Sequence, residues 1–330
     1  MAIRSRAPIR VELAGESTEL PEYYEQHGGF VVNMAINKYS YISLNPIKEG
    51  IKINLQNKGT IEFPNLKSIK YEGDIDLIKA IVKNKNLANQ EIFLRNDMPP
   101  NTGLGTNASI TTALLGAINK LKGESQDKAH ISEEAYKIGY AELGIKIGRQ
   151  NHYASAFGGV NGIEFKKDGS VFINQIKLSK YTLRELEKHL VLVYIGKRIN
   201  SDSLLNAPKK ENFLELDALE SLKKIAYDMK HSLEKENTIS FGKLLDQTWL
   251  IKKDIYPGMS NHYIDHLYKI AKNNGAIGGR VIGAGKGGHM LFYAEDNKEP
   301  QLVKKLQENG ARVIDFGIDT DGLEVWEAEK

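Results

Sequence analysis

Apolar and polar residues alternate along Ala7-Pro8-Ile9-Arg10-Val11-Glu12-Leu13-Ala14-Gly15, which predicts a strand with Ile9, Val11 and Leu13 on its buried face. Gly28 to Ile36 reads as a second extended run. Tyr39 to Leu44 and Ile51 to Leu55, either side of a turn at Asn45-Pro46, predict a β-hairpin region within 37–73. The spacing then changes to three and four. Ile75, Leu77, Ile78, Ile81 and Val82 predict a helix capped by Asp74, and Ile110, Leu114, Ala117, Ile118 and Leu121 predict another after a strand at Glu91–Arg95. Ser132 is placed to cap a helix running to Gly144. Strands follow at 160–165 and at Leu190–Ile195. The second half is first helical, at Leu214–Leu233, Phe241–Lys253 and Asn261–Asn273. It then offers strands at Met290–Tyr293 and Ala311–Phe316, a helix at Gln301–Gln307 and a charged tail. The Lys- and Glu-rich stretch 180–189 marks a boundary, giving two expected domains, 1–185 and 186–330.

Composition narrows the function classes. A chain of 330 residues with 41% hydrophobic and 26% charged residues has ample material for a core. Its formal net charge of +3, with lysines scattered along the chain, gives no case for nucleic acid as a partner. No apolar run approaches the about 18 residues of a membrane span. With no cysteines, disulfides and cysteine-ligated metals are excluded, and the expected location is the cytoplasm. The oligomeric state is open.

The candidate chemistry centres on Pro99-Pro100-Asn101-Thr102-Gly103-Leu104-Gly105-Thr106-Asn107-Ala108-Ser109, a glycine-containing turn between a predicted strand and a predicted helix. Unpaired N–H groups and the positive dipole end at a helix start favour an anion, and glycine lets a phosphate approach the backbone. A Walker A loop is excluded because Thr106-Asn107, not Lys-Ser/Thr, follows Gly105. Gly103-x-Gly105-x-x-Ala108 matches a dinucleotide fingerprint, but the required second strand with its acidic end is missing: Lys122 to Lys128 is a polar turn. The eight histidines show no HExxH spacing, and no G-x-S-x-G motif occurs.

Three stretches, in order along the chain, resemble the GHMP kinases, the family of galactokinase, homoserine kinase and mevalonate kinase. The loop 99–109 resembles that family's P-P-x-x-G-L-G-x-x-A-S nucleotide loop. Gly15-Glu16-Ser17-Thr18-Glu19 resembles its acidic substrate-facing turn, with Glu19 where the family has Asp. Gly283-Ala284-Gly285-Lys286-Gly287-Gly288-His289 resembles its G-A-G-x-G-G loop. Gly148-Arg149-Gln150-Asn151-His152-Tyr153-Ala154-Ser155-Ala156-Phe157-Gly158-Gly159 is similar to the G-x-Q-D-Q-Y-A-A-x-F-G-G motif of the D-glycero-D-manno-heptose 7-phosphate kinase branch. The resemblance implies a two-domain α+β fold, with an N-terminal ribosomal-protein-S5-like α/β domain and a C-terminal ferredoxin-like α+β domain. It also implies transfer of a phosphoryl group from ATP, with Mg2+, to a hydroxyl of a sugar or sugar phosphate.

By the same resemblance, Pro100, Asn101, Thr102, Gly103, Leu104, Gly105, Thr106, Asn107, Ala108 and Gly285 are expected at ATP. Asn151 and Arg10 are expected at the reacting hydroxyl, and Glu16, Thr18, Glu19, Gly29, His152, Arg198 and Lys286 at the sugar acceptor. Asn107 and Glu142 are the candidate metal ligands, because the family's helix glutamate falls on Gly139. Trp249, in a W-x-x-K-K pattern with Lys252 and Lys253, is expected in the core. Asn151 stands where the family carries Asp, and an amide cannot take a proton. Two outcomes therefore stand open: an active kinase with a rearranged site, or a non-catalytic relative that binds nucleotide or sugar as a regulatory subunit.

Overall fold

The computed structural model describes residues 1–56, 59–145, 148–197 and 213–329. In chain order the elements of the first half are β1 (Ala2–Ala14), α1 (Pro21–His27), β2 (Gly29–Pro46), β3 (Ile51–Leu55), β4 (Gly59–Phe63), α2 (Asp76–Asn84) and β5 (Gln90–Asn96). There follow α3 (Thr106–Lys122), α4 (Lys128–Leu143), α5 (Gln150–Phe157), β6 (Val160–Phe165), β7 (Val171–Gln175) and α6 (Lys180–His189). The second half adds β8 (Leu190–Tyr194), α7 (Phe213–Glu234), α8 (Thr238–Ile255), α9 (His262–Asn273), β9 (Ala276–Val281), β10 (His289–Ala294), α10 (Glu299–Glu308), β11 (Arg312–Ile314) and β12 (Glu324–Ala328).

Two sheets result. The larger has the order β12-β1-β2-β5-β3-β4, with β6 pairing β2 and β7 pairing β6; the smaller is antiparallel in the order β11-β8-β10-β9. The long strand β2 holds the larger sheet together, pairing β1 along its length, β6 through Gly29–Met34 and β5 through Ser40–Pro46. One face of this sheet packs Ile42, Ile53 and Ile92 against Ile81, Leu114 and Ile118 of α2 and α3. Leu13, Phe30 and Met34 join Met229, Phe241, Leu245 and Leu291 in a cluster common to both halves of the chain. Trp249 lies in a third cluster with Phe292 and Leu302, as expected of a core residue.

The structure corrects the sequence reading in five places, the first being that α2 starts at Asp76 with Ile75 at its N-cap position, so Asp74 is not its cap. Tyr39–Leu44 and Ile51–Leu55 do form strands, but β5 lies between them, and β3 pairs β5 in parallel and β4 in a true hairpin. Apolar alternation identifies strands without naming their neighbours. The charged tail contains β12, antiparallel to β1, and Leu323 and Val325 fit against Gly116 of α3. Helix α4 starts at Lys128 with Asp127 as its cap, accepting from His130 N at 2.7 Å, whereas Ser132 Oγ turns back to Lys128 O. Finally, β1 is buried on both faces from Ala7 to Ala14, so Arg10 and Glu12 are interior residues rather than a solvated edge. No helix among the described residues is long and apolar enough to cross a membrane.

Candidate active site

Helix α3 opens at Gly105, whose left-handed backbone (φ 71°) provides no side-chain cap. The N–H groups of its first turn are therefore left for an outside acceptor, at the positive end of a helix that is buried through most of its length. Leu104, Thr106 and Ala108 point into the protein, whereas Pro100 and Asn101 are exposed at the loop's rim. Thr102 holds the loop's turn, with Oγ1 donating to Pro99 O at 3.0 Å.

The glycine loop after β9 packs directly on this one. At Gly103 (φ 93°) an added Cβ would stand 2.6 Å from Ile282 O, and at Gly288 (φ 86°) 2.3 Å from Thr102 O. Any side chain would separate the two backbones, so glycine is required at both contacts. His289 Nδ1 meets Thr102 O at 3.0 Å, and Lys252 Nζ reaches Gly283 O at 3.4 Å. Gly285 and Lys286 lie against Met259, with Lys286 N donating to Met259 O. Two stretches separated by about 180 residues in sequence thus form one cradle.

Beside it lies a buried ionic cluster. Arg10 on β1 donates through Nε to Asn151 Oδ1 at 2.7 Å and through Nη1 to Gly103 O at 2.6 Å. Its backbone N–H also bonds Leu104 O at 3.0 Å, so one residue connects the first strand, the loop and α5. Asn151 completes its own bonding with Nδ2 to Gly148 O at 3.1 Å. The neighbouring Gln150, fully buried, donates to Glu12 Oε1 at 2.5 Å and to Glu19 Oε1 at 2.6 Å. Glu16 accepts from Lys252 at 2.5 Å and from Arg280 Nη1 at 3.0 Å, and Arg280 also donates to Leu13 O.

Charge is unequally shared among these acids. Burial alone would raise the Glu12 pKa, but Arg10, Lys252 and Arg280 together hold it below the ordinary carboxylate value. Glu19 is raised to about 7, first by burial and then by the negative charge of Glu12. Burial pushes His152 down to about 4, leaving a neutral imidazole at pH 7.

Of the acceptor residues expected from the sequence, Glu16, Glu19, Asn151 and Arg10 come together. Thr18 lies beneath the turn, its hydroxyl committed to Gly15 O and Phe30 O, and Gly29 allows the chain to pass against Thr18 O. His152 is buried edge-on to Tyr136. Arg198 lies outside the described residues.

The candidate metal ligands are not gathered in the same way. The half-buried Asn107 amide stands at the start of α3 with no side-chain hydrogen-bond partner among the described residues. Gly139 packs beside Leu77, while Glu142 accepts from Tyr71 Oη at 3.3 Å and lines an open surface groove with Asn84, His130 and Lys137. No residue of loop 99–109 lines that groove. A single neutral oxygen at Asn107 does not fit a protein-built magnesium site, which uses carboxylates, so no step is assigned to the metal.

Glu12, Gln150, Lys252 and Arg280 are members of the cluster that sequence reasoning did not assign to the site. Gln150 and Lys252 each stood within a matched motif; Arg280 follows Gly278-Gly279 without any distinguishing pattern.

Comparison with known proteins supplies the family. The GHMP kinases N terminal domain matches residues 75–159, and the GHMP kinases C terminal domain matches residues 229–312. This chain belongs to the GHMP kinase family. Among curated GHMP kinases it is 28% identical to D-glycero-alpha-D-manno-heptose 7-phosphate kinase of Campylobacter jejuni, over 98% of both chains. It is 26% identical to a galactokinase of Clostridium tetani, over 94% of this chain and 88% of that one. The crystal structure of a D-glycero-D-manno-heptose 1-phosphate kinase from Bacteroides thetaiotaomicron superposes with a TM-score of 0.83 at 26% identity, covering 99% of this chain and 100% of that chain. The two-domain α+β GHMP kinase fold expected from the motifs is therefore the fold observed.

Proposed function

We propose that the protein transfers the γ-phosphoryl group of ATP to a hydroxyl of a sugar phosphate of the heptose class. The observation that carries this reading is the joining, through Arg10, of the α3 cradle to the acid–amide cluster of Glu12, Glu19, Gln150 and Asn151. Family membership and full-length similarity to sugar kinases support the same chemistry.

In this reading the first-turn N–H groups of α3 and the backbone of loop 99–109 hold the ATP phosphates, and loop 283–289 closes over them. Arg10, fixed by Asn151 and Gly103 O, presents its guanidinium where negative charge builds during transfer. Glu19 and its partners orient the acceptor hydroxyl. Phosphoryl transfer through a loose transition state depends chiefly on positioning and charge stabilisation, so an amide at position 151 is compatible with turnover. We further assign the nucleotide half to 1–185 and the closing half to 186–330, β12 being the segment that crosses back to the first sheet.

ADP release with MgATP and a panel of heptose 7-phosphate, mannose, galactose, fucose, their phosphates and homoserine tests this. Turnover well above the no-acceptor background with a heptose phosphate is expected. Absence of turnover across the panel, with ATP still bound, would refute the kinase reading.

A further inference from the structure

Asn151 cannot serve as a base, and its amide is held in place: Oδ1 accepts from Arg10 and Nδ2 donates to Gly148 O. The other ionisable groups around Arg10 differ in what they offer a reacting hydroxyl. Glu16 already has two cationic partners, Lys252 and Arg280. Glu12 is surrounded by Arg10, Lys252 and Arg280 and accepts from Gln150, which makes it a fixed charge. His152 is too acidic to be an effective proton acceptor at neutral pH.

Glu19 is different. Its carboxyl is buried, Oε1 is held by Gln150, and Oε2 has no hydrogen-bond partner among the described residues. A buried, unpartnered oxygen is costly unless something binds there. The side chain lies against the turn that carries Asn151: a Cβ added at Gly148 would stand 2.6 Å from Glu19 Oε1. Gln150 sets the carboxyl's orientation from the same turn. Relative to the family motifs, the carboxylate lost at position 151 accompanies a carboxylate lengthened by one methylene at position 19.

From this placement we infer that Glu19 Oε2 is the proton acceptor for the phosphoryl transfer, an inference that rests on the kinase reading above. The acceptor hydroxyl gives its proton to Oε2 as its oxygen forms a bond to the γ-phosphorus. The bond between that phosphorus and the β,γ-bridging oxygen breaks, and its electron pair leaves with ADP. Glu19 then returns the proton to solvent as product departs. The charges facing Glu19 are Glu12 and Arg10 from β1 and Lys252 from α8; Tyr256, just beyond α8, is also close enough to be influenced by it. Burial and Glu12 bring its pKa to about 7, so the base form is available above that pH without a permanently fixed charge.

The test compares the unmodified enzyme with Glu19→Gln, Glu19→Asp and the double variant Glu19→Gln/Asn151→Asp, using the acceptor that the unmodified protein turns over. For the unmodified enzyme, kcat/KM should rise with pH through a limb near 7. Glu19→Gln should lower kcat by roughly 10²–10⁴-fold, as loss of a general base does, remove the limb and leave the acceptor KM within about threefold. Glu19→Asp should keep part of kcat and the limb. The double variant should recover turnover with its limb moved to lower pH. An unchanged ATP affinity and a melting temperature no lower than the parent's for Glu19→Gln separate loss of chemistry from loss of fold. A raised KM with unchanged kcat, or a limb that survives Glu19→Gln, overturns the role of Glu19 while leaving the kinase reading intact. An unmodified protein that turns over no acceptor overturns both.

Discussion

Glu16 connects the two halves of the molecule, and replacing it with glutamine tests how strongly. Its carboxylate is nearly fully buried between Lys252 of α8 and Arg280 of β9, both themselves buried. Glu16→Gln keeps the shape but leaves two interior cations facing a neutral amide. Removing one partner of a buried ion pair costs about 3–5 kcal/mol, because the remaining charge is uncompensated. Glu12 still interacts with both cations, which favours the lower end, ~3 kcal/mol by the same reasoning. An unfolding entropy of ~2.1 cal/mol/K per residue turns this into a fall in Tm of ~4 °C for a chain of this length. Calorimetry or urea unfolding at pH 7 reads it directly. A double-mutant cycle with Lys252→Met should show the two sites coupled by at least ~1 kcal/mol, since the second change removes one stranded cation. A Tm within about 1 °C of the parent, or strict additivity with Lys252→Met, would refute the claim that this interaction pins the halves together.

Glu19→Gln should show the opposite sign at high pH. A carboxyl whose folded pKa is raised from 4.5 to about 7 contributes stability that is fully present below the unfolded value and lost as pH rises through 7. The glutamine variant should therefore melt above the parent at pH 8, with the advantage vanishing below pH 4.5, as a pair of thermal scans would reveal. Gly103→Ala places a methyl 2.6 Å from Ile282 O at φ 93°, so the two loops must part. The expected result is an ATP KM raised about tenfold or more, the scale of 1.4 kcal/mol of lost binding. Arg10→Met leaves Asn151 Oδ1 and Gly103 O without their guanidinium donor, and kcat should fall by about 10²-fold or more, measured by ADP release. Trp249→Ala, inside the third cluster, should cost about 3–5 kcal/mol on urea unfolding.

The cradle was legible residue by residue. Loop 99–109 has glycine where an anion would approach the backbone and a helix start where it would be held, requirements that act within a few residues and leave a recognisable pattern. The turn at Glu16–Glu19 and the stretch 148–159 were legible through their resemblance to family motifs. The remainder of the site was not. Lys252 lies 236 residues from Glu16, and Arg280 lies 264 residues from it; a lysine on a helix and an arginine on a strand look alike whether they face water or a buried carboxylate. Glu12 was hidden by its own strand, since alternation along β1 suggests one wet face, whereas α5 covers that face with Gln150.

By itself, then, the sequence determined most of the strand and helix periods and the positions of the two glycine-rich loops, one opening α3 and one after β9. Those features arise from backbone sterics and local hydrogen bonding, which act between near neighbours. Tertiary structure decided the strand neighbours, with β5 placed between β2 and β3 and β12 returned to β1. It also decided which acids carry charge. Whether Glu12 is held ionised and Glu19 is raised to about 7 depends on burial and on cations brought from the far end of the chain, because electrostatic energy follows distance and solvent exclusion rather than sequence separation.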